Sequence, residues 1–130
     1  MQVKLTYYNI TNEVKSICEN IINNDKNISC LVISFYEKNN HLRMSIIDYS
    51  EFSHTTDVVR LLPYLKGYSI LNNVIIFINT RNYNKYITKT KITKIFNYTT
   101  NLIPLVDGYR RWIYEQIDND FKLIFFEGDW

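Results

Sequence analysis

Apolar residues at the start of the chain alternate with polar ones. Val3, Leu5 and Tyr7 are spaced by Lys4 and Thr6, the period of a strand that buries one face. The period then changes. In residues 11–24 the apolar positions Val14, Ile17, Cys18, Ile21 and Ile22 recur at i, i+3, i+4, i+7 and i+8, which predicts a helix, with Thr11 or Asn12 as its cap. Residues 28–36 are apolar at nearly every position, "EKNNH" reads as a turn, and 42–50 return with partial alternation, so a hairpin is expected. Residues 53–66 read as a short helix bent by Pro63 and ended by Gly67. Residues 73–79 form another strand apolar on both faces. From Thr90, the positions Ile92, Ile95, Phe96, Thr99, Leu102 and Ile103 fit a helical stripe that Pro104 stops. Two runs, 109–117 and 121–126, flank "DND" and predict a closing hairpin.

The expected order is β α β β α β α β β. It describes a single α+β domain over 1–130, with a mixed sheet of about six strands and three helices. The first six elements resemble the split βαβ order of ferredoxin-like folds, a likeness of element order that carries no function. That likeness places the second and fourth strands at sheet edges, yet these two are the most apolar. Either the C-terminal hairpin covers an edge or the strand order differs.

Composition narrows the class. A chain of 130 residues, 46% of them apolar, builds one core without disulfides or metal, and 3 Gly and 2 Pro leave little to interrupt it. No basic segment followed by an apolar run opens the chain, and no stretch approaches the roughly 20 apolar residues of a membrane span, so a cytoplasmic protein without membrane contact is expected. Cys18 and Cys30 lie inside apolar patterns without CxxC spacing and read as buried thiols. No cofactor motif is present, and the 3 glycines are too isolated for a phosphate-cradling loop. Charge falls in blocks: residues 1–57 carry 5 basic and 7 acidic side chains, 58–106 carry 7 and 0, and 107–130 carry 3 and 6.

Three stretches hold candidate chemistry. Residues 81–94 bring Arg81, Lys85, Lys89, Lys91 and Lys94 together with Tyr83 and Tyr86, the residue types that neutralise phosphates and stack on bases. Lys91 and Lys94 equally suit the solvated face of a helix. In "DYSEFSHTTD", His54 stands among Asp48, Glu51 and Asp57 beside Ser50 and Ser53, as a small hydrolase would need. A single histidine fits no metal box, and Ser53, Thr55 or Thr56 serves as well as a helix cap, with Asp57 in the first turn. The closing hairpin joins Arg111, Trp112, Tyr114, Phe126 and Trp130 to Glu115, Asp118, Asp120, Glu127 and Asp129, apolar anchors with negative charge.

The expectation is therefore a non-catalytic protein that binds and blocks another protein through this hairpin. Its size and composition are like those of toxin immunity proteins and phage-encoded inhibitors, and its acids suit a basic toxin or nuclease as partner. Nucleic acid bound along 81–94 and a hydrolase centred on His54 are the alternatives.

Overall fold

The computed structural model describes residues 2–25, 28, 30–48, 65–79, 85–97 and 110–128. Eight strands form one mixed sheet: β1 (Gln2–Ile10), β2 (Cys30–Lys38), β3 (His41–Asp48), β4 (Gly67–Leu71), β5 (Val74–Ile78), β6 (Ile87–Asn97), β7 (Arg110–Ile117) and β8 (Asp120–Gly128). A single helix among the described residues, α1 (Asn12–Asn24), follows β1. The strands lie in the order β6-β1-β4-β5-β2-β3-β7-β8. β1 with β4 and β2 with β5 are parallel, and the other neighbours are antiparallel.

This architecture corrects the six-strand, three-helix expectation at several points. β2 and β5, the two most apolar strands, lie side by side inside the sheet, so both faces are covered and neither needs protection as an edge. β4 was not expected; Gly67 opens it instead of ending a helix. A Cβ at Gly67 would stand 2.3 Å from the ring of Tyr8, so only glycine lets the aromatic ring of β1 lie across the neighbouring strand. The segment from Thr90 is strand, not helix, as far as Asn97. Three Ile and three Thr among the eleven residues of β6 favour a strand, and pairing with β1 outweighs the helical spacing of Ile92, Ile95 and Phe96. The helix expected at 53–66 lies outside the described residues except for Leu65 and Lys66, which are not helical; Lys66 donates its amide to the Ile78 carbonyl at 2.8 Å. Residues 98–103 also lie outside them.

Three hairpins share one device. The pairs Asn39–Asn40, Asn72–Asn73 and Asp118–Asn119 all adopt positive φ, from 51° to 69°, as a two-residue turn with the twist of the flanking strands demands. Asn and Asp tolerate this left-handed region better than other non-glycine residues.

α1 is the helix that the sequence predicts. It buries Val14, Cys18, Ile21 and Ile22 against Leu31, Ile33, Met44, Ile46, Ile76 and Ile78 of the central strands. Thr11 occupies the N-cap position, but its side chain makes no capping bond. The opposite face holds a second core of Leu5, Cys30, Val32, Leu65, Tyr68 and Phe77. Phe96 meets Tyr68 and Phe77 there at ring distances of 5.2 and 5.6 Å.

The sheet is strongly coiled. Eight strands laid flat would separate the outermost two by roughly 34 Å, at about 4.8 Å per step. Yet the ring of Tyr86, next to the start of β6, lies 4.9 Å from that of Phe121 in β8. Phe35 stacks on Tyr86 from β2 at 5.6 Å, and Gln116 of β7 donates to the Tyr86 hydroxyl. The helix-side face is thus concave and curls around α1. At the N-terminal end of α1, Glu13 accepts a 2.9 Å hydrogen bond from the Phe121 amide.

Candidate protein-binding site

Strand alternation along β7 decides what each side chain can do. Arg110, Trp112 and Tyr114 stand opposite Asp48, Ile46 and Met44 on the helix side, while Arg111, Ile113 and Glu115 stand on the other. Arg110 holds the end of α1 to the sheet. Its guanidinium donates to Asp48 at 2.6 and 3.2 Å and to Asp25, just past the helix, at 2.5 Å. Asp48 is fully buried, so this contact compensates a carboxylate removed from water. The guanidinium also lies 5.6 Å from the Trp112 ring centre.

Beside this clamp opens a pocket of about 310 Å³. Asn20, Ile21 and Asn24 of α1 line one wall, Arg110, Trp112 and Tyr114 of β7 the floor, and Leu123 and Phe126 of β8 the other wall. Trp112 and Phe126 touch with ring centres 5.4 Å apart. Burial, followed by the nearby Cys18, pushes the Tyr114 phenol up to about 12, and burial, followed by Glu19, pushes the Cys18 thiol up to about 12. Both groups are therefore neutral near pH 7, and Cys18 is no nucleophile. The described lining of the pocket offers aromatic surface, two amides and a guanidinium already engaged by carboxylates.

β8 is an edge strand with an irregularity. Ile113 pairs with Phe125 but Tyr114 pairs with Leu123, so Ile124 is an extra residue, a bulge. Leu123, Ile124, Phe125 and Phe126 are 53%, 40%, 43% and 52% exposed, four consecutive large apolar side chains half open to solvent. Of these, Leu123 and Phe126 lie together on the pocket side, while Phe125 stands opposite Ile113 on the other face.

The structure brings Trp112, Tyr114 and Phe126 together in the pocket, as residues of the expected binding hairpin. The expected acids behave differently. Glu115 pairs with Arg43 at 3.0 Å and Glu127 with Arg111 at 3.0 Å, while Asp118 and Asp120 stand exposed at the hairpin tip. Asp129 and Trp130 lie outside the described residues. Sequence reasoning missed Asp25, Asn20, Asn24 and Leu123 as parts of one site and left Arg110, the neighbour of Trp112, out of the binding set. The missing signal was the pairing of β7 with β3, since in-phase Met44, Ile46 and Asp48 already marked a buried face.

The other two stretches fare as follows. Of the group around His54, only Asp48 is described, and Arg110 holds it; Ser50, Glu51, Ser53, His54 and Asp57 lie outside. In the basic stretch, Arg81 and Tyr83 lie outside, and Tyr86 is buried at the concave face. Lys89 stands opposite Tyr8 and Lys94 opposite Leu5, so they emerge on opposite faces of β6 and form no single basic track. Among the described residues no group of three His, Cys, Asp or Glu side chains could hold a metal ion. No described helix is long and apolar enough to cross a membrane.

Compared with known proteins, the chain matches no family model, no curated protein and no solved structure.

Proposed function

We propose that this is a non-catalytic protein that acts by binding another protein, the role filled by toxin immunity proteins and phage-encoded inhibitors, with the β7–β8 hairpin and the adjoining pocket as its docking site. The observation that carries this reading is the pair of half-exposed apolar side chains, Leu123 and Phe126, that border an aromatic-floored pocket. The partner it fits presents an aliphatic or aromatic side chain to the pocket. Among the described acids of the hairpin, ionic attraction to a basic partner falls to Asp118 and Asp120, because Arg43 and Arg111 already balance Glu115 and Glu127.

The test is a photo-crosslinking side chain installed at Asn24, which lines the pocket from α1 and is exposed. In cells producing the chain it should capture a distinct protein, and Phe126→Lys should reduce that capture at least tenfold. Absence of any such adduct, or capture indifferent to Phe126→Lys in a folded variant, overturns the reading.

A further inference from the structure

We infer that β8 is also the seam of a homodimer, in which two copies join their sheets edge to edge about a two-fold axis passing between Ile124 and Phe125.

The first support is the direction of the peptide groups. Around the two-residue turn Asp118–Asn119, the adjacent pair Ile117 and Asp120 exchanges backbone hydrogen bonds, and bonded pairs alternate with unbonded ones from there. Phe121 and Leu123 therefore direct their peptide groups away from β7. The Phe121 amide confirms this alternation by donating outward to Glu13. Counting from the Asn39–Asn40 turn through β3 gives the same phase: Met44 bonds to Tyr114, which leaves Tyr114 and Leu123 an unbonded pair. Past the bulge the bonded pair is Ile113 with Phe125, so Phe126 again faces outward. Leu123 and Phe126 thus offer the backbone bonds of an open edge, while Glu13 has sealed the strand at Phe121.

The second support is self-complementarity. A two-fold axis between Ile124 and Phe125 sets Leu123 opposite Phe126 of the second copy, and Lys122 opposite its Glu127. In a regular strand residues three or five apart lie on opposite faces, and such pairs could not meet. The extra residue at Ile124 changes this. Leu123 and Phe126 both lie on the pocket side, opposite Tyr114 and Trp112, and Lys122 and Glu127 both lie on the other, opposite Glu115 and Arg111. Apolar side chains then meet on one face and opposite charges on the other, each twice by symmetry. The bulge that spoils β8 for a generic neighbour suits it to a copy of itself.

The third support is the opposite edge. β6 carries exposed Lys89, Lys91 and Lys94, and its register with β1 breaks where the Thr90 hydroxyl takes over the Tyr7 carbonyl at 2.7 Å. One edge is self-complementary and the other is charged, so association closes at two copies. The arrangement places both pockets on the same side of the joined sheet and makes the docking site bivalent, although the dimer itself does not depend on the partner reading.

The experiment is sedimentation equilibrium on the purified full chain, without any partner. Twice the chain mass of 15.6 kDa is expected at micromolar concentration. Lys122→Glu, which places it against Glu127 of the second copy, should raise the dimer dissociation constant at least tenfold, and Lys122→Glu with Glu127→Lys should restore it. Leu123→Lys, at a half-exposed position, should give a folded monomer by circular dichroism. A monomeric wild type at tens of micromolar, a dimer indifferent to Lys122→Glu and Leu123→Lys, or a folded double variant that stays monomeric overturns the proposal.

Discussion

Asp48 shows how a residue's meaning depends on what strand pairing brings to it. In the sequence it heads an acidic, histidine-containing stretch; in the fold it is a fully buried carboxylate held by Arg110. Arg110 supplies two charge-assisted hydrogen bonds to this buried carboxylate, so Arg110→Met should cost about 1.5–3 kcal/mol in urea unfolding. Arg110→Met with Asp48→Leu should recover most of that loss, since apolar replacements of a buried pair are often neutral. A single variant within about 1 kcal/mol of wild type would show that the Arg110 contact is not what stabilises the buried carboxylate. Part of this was legible: Met44, Ile46 and Asp48 share the phase of a buried face. The identity of the cation was not, because Arg110 lies 62 residues away and nothing local pairs β3 with β7.

Most elements whose signal lies within a short window are legible in the sequence. The alternation of β1, the helical period of α1 and the turn residues of the β2–β3 and β7–β8 hairpins were all visible in short windows. The β4–β5 hairpin carries the same Asn–Asn signal, but β4 is only five residues long, and the stretch between the helix expected at 53–66 and the strand at 73–79 is assigned no element. β6 was misread because Ile92, Ile95 and Phe96 satisfy a helical spacing, and only β1 decides between the two periods. The turns themselves are testable. Asn40→Ala, Asn73→Ala and Asn119→Ala each force a Cβ into left-handed backbone without the help of a polar side chain, and each should cost roughly 1–2 kcal/mol by chemical denaturation. The corresponding glycine variants should be neutral or stabilising; if alanine and glycine behave alike, the positive φ is not what selects asparagine.

For the whole molecule, the two sheet edges differ in kind. β8 is apolar and bulged, whereas β6 is studded with lysines. Replacing Lys89, Lys91 and Lys94 with Thr should remove the repulsion that keeps β6 from accepting strands and produce assemblies larger than wild type by light scattering, more so at high protein concentration. A triple variant that keeps the wild-type size would assign the protection to the irregularity at Thr90 instead. The strand order itself had no sequence signature. The hydrophobic pattern fixes which face of a strand is buried, while the choice of neighbour rests on contacts summed over the entire sheet.

The place of β1 between β4 and β6 has a consequence for how the chain is made. Each of the three hairpins closes within its own short stretch, in about 1–10 μs once both strands exist. β1 has no such neighbour: its partners begin at Gly67 and Ile87, and its pairing with β6 extends to Asn97. At about 5–20 residues per second of synthesis, the interval between completing β1 and completing β6 is roughly 4–17 s. For that time Val3, Leu5 and Tyr7 have no finished sheet to enter, and α1, attached directly behind them, has only part of its concave bed. β1 is thus made before the other described strands and is among the last of them to be flanked on both sides, so slowing translation across residues 67–97 lengthens the time it spends without its neighbours.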